Sequence, residues 1–264
     1  MQRRILFLLG LSLFLSGCGS SSDPAPDPPG ALSGNWQMTL TKTDTPKIVK
    51  TQSGSLVQNG DLITGSVIFT DTPCSGVGTV SGTTDGSTIS LTVDPVGTSV
   101  ALTGYVSTQQ NSMSGNYTIL STGCAGSQSA PQTGIFNAEL VTPLSGNLAG
   151  TFSDDTIDET YAVTGQVSQG ANTGVSSTPL SGSLTFTGFC YADANIVGSI
   201  SGTSFVMNLV DSDGAQIGQV FGTTTPNATS LTGTYEILGL GTGAVGRGCV
   251  NGERGKVSLT VAAQ

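Results

Sequence analysis

The chain has 264 residues, a formal net charge of −9 and no histidine. The missing histidine excludes Ser-His-Asp and Cys-His catalysis and histidine-ligated zinc. The acidic balance repels phosphate backbones and anionic headgroups, so we expect neither a nucleic-acid partner nor a basic membrane-binding patch. No C-x-x-C motif is present, and residues 241–246, which fit G-x-G-x-x-G, are not followed by a helix-forming sequence. We therefore expect no cofactor.

The N-terminal residues differ from the rest of the chain. Arg3 and Arg4 precede an apolar run from Ile5 to Leu15. This run is too short to span a bilayer, which takes about 20 residues, but it suits the apolar region of a secretory signal. Leu15-Ser16-Gly17-Cys18 follows directly.

These four residues resemble the lipobox of bacterial lipoproteins. The resemblance implies that residues 1–17 are a signal peptide, that cleavage occurs before Cys18, and that Cys18 carries the lipid. It implies that the protein lies outside the cytoplasm and is anchored in a bacterial envelope membrane, which we expect to be the outer membrane. An ordinary secretory signal with a chance cysteine is the alternative.

A tether follows over residues 18–30, where Ser, Pro, Asp and Gly offer no apolar face to bury. If extended, these residues hold the rest of the chain roughly 40 Å from the bilayer.

The remaining sequence is duplicated. Leu32-Ser33-Gly34-Asn35 recurs as Leu144-Ser145-Gly146-Asn147, and the segment 114–120 recurs as 232–238. The repeat predicts two related domains, residues 31–142 and 143–264, each of ordinary domain size.

The cysteines of the body follow the duplication, because Cys74 corresponds to Cys190 and Cys124 to Cys249. Disulfides persist in an extracytoplasmic compartment. The simplest pairing is therefore Cys74–Cys124 and Cys190–Cys249, and free buried thiols are the alternative.

A five-residue pattern recurs within each domain: an apolar residue, Ser or Thr, Gly, any residue, and an apolar residue. Leu102–Val106 and Leu231–Tyr235 are examples. In a strand the first, third and fifth positions share one face, so the pattern predicts strands with inward glycines that permit sharp bending. Asn59-Gly60, Asp85-Gly86 and Asp213-Gly214 suit tight hairpin turns.

We therefore predict an all-β fold of two tandem antiparallel up-and-down meanders, each closed as a barrel or folded as a sandwich of about eight strands. The strands of the first domain are expected near 34–42, 53–58, 62–70, 76–82, 87–93, 99–107, 113–120 and 133–140. Those of the second are expected near 146–153, 160–168, 180–188, 195–201, 204–210, 216–223, 230–238 and 255–262.

Gly34-Asn35-Trp36 resembles the Gly-x-Trp opening of lipocalins, and avidin-type barrels begin similarly. The resemblance implies an eight-stranded barrel. The lipocalin pattern also has a basic residue on a late strand against the Trp. The first domain lacks one, and the second has Arg254 and Lys256 but Leu148 in place of Trp. No ligand residue is carried over.

Two sets of carboxylates are the remaining candidate sites. Asp154, Asp155, Asp158 and Glu159 form an oxygen-rich segment that is a weak candidate for Ca²⁺, although a solvated loop is the preferred interpretation and no metal is expected. Glu139 and Glu236 lie on predicted strands and are candidates for a glycosidase-type pair, but outward positions are expected.

These features predict an anchored binding or interaction module that holds a small apolar ligand or contacts an envelope polymer or protein. A purely structural envelope spacer or coat is the alternative. A carboxylate-based hydrolase is a third hypothesis, and we do not expect an enzyme.

Overall fold

The structure is a computed structural model that describes residues 31–43, 49–70, 76–95, 99–119, 132–155, 158–239 and 251–263. The predicted signal peptide, lipidated Cys18 and tether lie outside the described residues. All the regular secondary structure in the described ranges is β-strand. These ranges contain no helix that is long and apolar enough to cross a membrane.

The strands form two closed antiparallel barrels of consecutive neighbours. In the first barrel, β1 pairs with both β2 and β8, and in the second, β9 pairs with both β10 and β16. The strands of the first barrel are β1 Gly34–Lys42, β2 Val49–Asn59, β3 Leu62–Phe69, β4 Gly76–Thr84, β5 Thr88–Pro95, β6 Val100–Val106, β7 Ser112–Ile119 and β8 Gln132–Val141. Those of the second are β9 Gly146–Asp154, β10 Thr160–Gln169, β11 Thr178–Thr187, β12 Asp193–Ser201, β13 Ser204–Val210, β14 Gln216–Thr224, β15 Ser230–Ile237 and β16 Arg254–Ala262.

The predicted all-β fold is confirmed. Of the two predicted forms, barrel and sandwich, the structure has the barrel. The predicted strands are all present, and the largest difference at a strand start is β2, which begins at Val49 rather than at residue 53. The prediction of tight turns is also confirmed, since Gly60, Gly86 and Gly214 adopt φ values of 59°, 89° and 83° between paired strands.

Alternation along each strand separates the core from the outer wall. In β15, Leu231 and Tyr235 are buried while Thr232 and Thr234 are exposed. The buried apolar side chains of each barrel pack into one cluster. In the first barrel, the largest fully buried members are Trp36, Phe136, Leu32, Met38, Leu40, Leu56, Ile63 and Leu91.

The inward glycines let neighbouring strands and aromatic rings close over the backbone. Gly104 faces Gly115 across β6 and β7. A Cβ atom on Gly115 would lie 2.1 Å from the carbonyl oxygen of Thr103 and 2.9 Å from Cε1 of Phe136. The second barrel repeats the arrangement with Gly222 facing Gly233.

Aromatic rings form a cluster inside the second barrel. Phe152 packs against Phe186 with a centroid distance of 5.2 Å and against Tyr235 at 5.1 Å. Phe189 comes from the loop between β11 and β12, yet it is 1% exposed and stacks 5.0 Å from Phe186. The Phe189 side chain of this loop therefore points inward and joins the aromatic cluster of the second barrel.

Candidate functional site

The junction between the barrels contains a buried side chain. The Nδ2 of Asn35 donates to the carbonyl oxygen of Gly202 at 2.7 Å, and the Gly202 N–H donates to Oδ1 of Asn35 at 2.6 Å. Beside this pair, Thr203 donates from both N and Oγ1 to Oε1 of Gln37. The β12–β13 turn of the second barrel is thus held on the outer wall of the first.

A second set of contacts extends the junction. The Nδ2 of Asn172, in the β10–β11 loop, donates to the carbonyl oxygen of Leu56 at 2.6 Å, and Ser55 donates to Oδ1 of Asn172. Ser66 donates to the carbonyl oxygen of Gly174 at 3.0 Å. The loop therefore lies across β2 and β3, and sequence reasoning missed this interface because outward Asn and Ser residues resemble ordinary solvated positions.

An open groove of about 530 Å³ lies on the outer wall of the first barrel, which we call the β1–β7–β8 groove. Its polar lining consists of Gln37, Thr39, Ser112, Ser114, Asn137 and Glu139, with Asn111 at one end. Gln37 belongs both to this groove and to the junction. None of the described residues that line it is basic, so its chemistry suits neutral hydroxyl and amide groups more than anions.

A second open groove of about 490 Å³ lies on the wall of the second barrel, the β9–β10–β11 groove. It is lined by Ser145, Gly146, Gln166, Val167, Ser168, Ser181, Gly182 and Ala263.

The candidate metal segment does not form a cluster. Asp154 is 4% exposed at the end of β9, whereas Asp155, Asp158 and Glu159 are exposed. Within the described residues, no group of three or more carboxylates, cysteines or histidines could hold a metal ion. Three of the four candidate residues are thus exposed, and the Glu159 carboxylate accepts a hydrogen bond from the Tyr161 hydroxyl. Asp154 is buried because it lies on the inward side of the last position of β9.

The candidate carboxylate pair is not brought together. Glu139 is exposed on β8 of the first barrel, while Glu236 lies on β15 of the second and accepts a hydrogen bond from Arg254 at 2.8 Å. Both glutamates are on outer walls, as the alternation predicts. Arg254 therefore pairs with Glu236 on the outside of the barrel. It does not pack against an aromatic side chain of the core, as the basic residue of the lipocalin pattern does.

The end of the second barrel opposite the junction holds a buried phenol. The Tyr191 hydroxyl donates to the carbonyl oxygen of Gly239 and lies 3.4 Å from that of Ile217. Burial raises the pKa of Tyr191, and the nearby carboxylates of Glu253 and Asp211 raise it further. The group is therefore a neutral hydrogen-bond donor and not a base.

Cys190 is completely buried next to this tyrosine and is disulfide-bonded. Cys74, Cys124 and Cys249 lie outside the described residues, so the proposed pairing stays a prediction.

Gln52 is a polar exception inside the first barrel. It is 2% exposed on the inward face of β2, and its Nε2 has no hydrogen-bond partner among the residues that the structure describes.

Comparisons of the chain with known protein families, with characterised proteins and with solved structures found no match.

Proposed function

We propose that the chain is a lipid-anchored, extracytoplasmic lipoprotein of the bacterial envelope whose two barrels act together as an interaction module. The lipobox resemblance at Leu15–Cys18 supports the anchor, and the tether at 18–30 supports display away from the bilayer. The contact surface in this proposal is the outer wall of the barrels, where an envelope polymer or protein binds.

We place the binding surface on the outer wall, and not inside a barrel, because of one contrast between the two. Apolar side chains pack the described interior of both barrels, and in the second barrel the Phe189 loop folds inward as well. The β1–β7–β8 groove, by contrast, is open and polar and adjoins the junction through Gln37. This contrast favours a wall-bound partner over a small apolar ligand in a lumen. No catalytic step belongs to the proposal, because Glu139 and Glu236 lie on different barrels.

The anchor is tested by Cys18→Ala. The variant should lose metabolic acyl labelling and leave the membrane fraction, because several acyl chains provide stable attachment where one signal does not. Unchanged retention and labelling would refute the anchor.

The wall is tested by Ser114→Arg, which places a long cation in the β1–β7–β8 groove. Ser90→Arg is the matched control, since Ser90 is also an exposed serine on a strand, β5, outside the groove. We expect Ser114→Arg to lower co-sedimentation with isolated envelope material at least tenfold, while Ser90→Arg binds as the wild type does. Equal binding by both variants would reject the groove.

The spacer function is a second candidate, and the buried Asn35–Gly202 pair favours it because a hydrogen-bonded junction stiffens a tandem protein. In a deletion strain, the spacer function predicts that Asn35→Ala fails to restore envelope integrity while Ser114→Arg restores it. The interaction module predicts that Ser114→Arg fails.

A further inference from the structure

The two barrels share the same pair of hydrogen bonds at the point where the chain enters the first strand of each barrel. Gln58 accepts from the N–H of Leu32 at 3.1 Å, and its own N–H donates to Ser33 Oγ at 2.9 Å. Gln169 does the same with Leu144 and Ser145, at 2.8 and 3.1 Å. These contacts fix which positions of the two barrels are equivalent.

The strand registers extend the equivalence to the walls. Leu56 pairs with Gly34 and Gly65, and Val167 pairs with Gly146 and Gly182. Val167 of the second barrel is therefore equivalent to Leu56 of the first. The same alignment makes Gln166 equivalent to Ser55, Ser168 to Val57, and Asn147 to Asn35.

One of these two equivalent wall positions is occupied and the other is open. On the first barrel, the Asn172–Gly174 loop lies there, bonded to Ser55, to the carbonyl oxygen of Leu56 and to Ser66. On the second barrel, the same position is the open β9–β10–β11 groove. A surface that binds a barrel end within the chain is thus present a second time, and none of the described residues covers it.

The docking end of the second barrel also has a counterpart. Its β12–β13 turn, Gly202-Thr203, aligns with Gly86-Ser87 in the β4–β5 turn, because Gly198 pairs with Met207 as Gly82 pairs with Leu91. Both glycines have positive φ, 56° and 89°. The corresponding end of the first barrel is exposed, and Leu62 beside it is 61% exposed.

We propose that the β9–β10–β11 groove binds the turn end of the first barrel of a second copy of this chain, so that copies associate head to tail. The Asn147 amide donates to the Gly86 carbonyl oxygen, as Asn35 does to Gly202. Gln166, which is longer than Ser55, reaches the β2–β3 turn, which is shorter than the β10–β11 loop. This inference rests on the proposed interaction function and names a partner for the second barrel.

The contact is weaker than the junction within the chain. The Gly86 N–H already donates to Oγ1 of Thr84 at 3.0 Å, so Asn147 gains one hydrogen bond where Asn35 has two. The copies are also acidic and repel one another, and salt screens this repulsion. Association is therefore expected at high local concentration, as on a membrane, and should increase with ionic strength.

The chain path is compatible with this arrangement. The chain enters the second barrel at its docking end, where Thr142 of the linker donates to the carbonyl oxygen of Pro226 at 2.8 Å. It enters the first barrel at the equivalent end, through Leu32. In both barrels, therefore, the end proposed to dock is the end at which the chain enters.

The experiment is thiol cross-linking of the full-length protein in membranes with a short bifunctional maleimide. The test variant is Ser87→Cys with Thr164→Cys. Ser87 corresponds to Thr203, and Thr164 corresponds to Ser53, whose hydroxyl lies 2.8 Å from that of Ser201 beside the internal β12–β13 turn. The control variant is Ser87→Cys with Phe221→Cys, since Phe221 is exposed on β14, across the barrel from β10. The unmodified protein gives the background from its native cysteines.

We expect the test variant to give a ladder of dimers, trimers and larger species at least tenfold more abundant than in the control. Adding Asn147→Ala should reduce the ladder at least threefold. Equal cross-linking of test and control variants would overturn the proposal. Envelope binding through Ser114, measured on the same preparations, would separate that outcome from failure of the proposed function.

Discussion

Asn35 and Gly202 are joined across the two barrels by a reciprocal pair of hydrogen bonds. The amide group of one side chain satisfies both the N–H and the carbonyl oxygen of a single turn residue, at 2.6 and 2.7 Å. Asn35 is only 3% exposed, so water is excluded from the pair. The barrels are thus coupled by polar groups that would be costly to separate.

Asn35→Ala should uncouple the barrels. It leaves the N–H and carbonyl oxygen of Gly202 without their partner, at a cost of about 1–3 kcal/mol for each group that stays buried. Urea unfolding should change from one transition to two. Asn147→Ala is the matched control at the equivalent exposed position, and it should stay within about 0.5 kcal/mol of the wild type in dilute solution. A single unshifted transition for Asn35→Ala would contradict this coupling.

Gly255→Ala should destabilise the second barrel. The added Cβ would lie 2.0 Å from the carbonyl oxygen of Ser153 and 2.6 Å from Cε1 of Tyr235, which packs over this glycine. Overpacking of this kind costs about 1–3 kcal/mol or more. Gly218→Ala is the control, because its closest contact would be 3.2 Å from the carbonyl oxygen of Glu236. Equal unfolding midpoints for the two variants would show that glycine is not needed there.

Much of this fold was predictable from sequence because short-range patterns determine it. The repeated glycine pattern and the Asn-Gly and Asp-Gly dipeptides place strands and turns, and strands joined by such short turns pair with their chain neighbours. The junction was not predictable, because Asn35 and Asn172 act through partners more than 100 residues away. The inward fold of Phe189 was missed for a similar reason, since a loop aromatic has no periodicity to indicate its direction.

The β4–β5 turn should weaken in acid. The Asp85 carboxylate accepts hydrogen bonds from the backbone of Thr88 and Ser87 and from both hydroxyls, and these bonds hold the pKa of Asp85 well below its usual value near 3.9. Because the pKa of Asp85 is lower in the folded state, its carboxylate stabilises the folded state at pH values above the unfolded pKa. This contribution to the free energy of unfolding is lost as the pH falls through the folded pKa. Carbon NMR of the carboxyl group should show this low midpoint, and Asp85→Asn should flatten the acid limb of the stability curve. A midpoint near 3.9 would contradict the capping role.

Tyr191 should produce the opposite dependence on pH. Burial, and then Glu253 and Asp211, raise the pKa of its phenol, so its contribution is present below the unfolded value of about 10 and is lost as pH rises through the folded pKa. An absorbance titration of tyrosinate should show a late ionisation that Tyr191→Phe removes. If the wild type and the variant titrate identically, the phenol is not buried as described.

A partner is expected on the outer wall because side chains occupy the described interiors of the barrels and leave no room for a ligand there. A native mass spectrum of the protein extracted from bacterial membranes tests this point directly. We expect the mass of residues 18–264 with the acyl groups on Cys18 and no bound small molecule beyond detergent and lipid adducts that dissociate on activation. A stoichiometric apolar ligand that survives activation, and is unaffected by Ser114→Arg, would contradict the account and place the binding site inside a barrel.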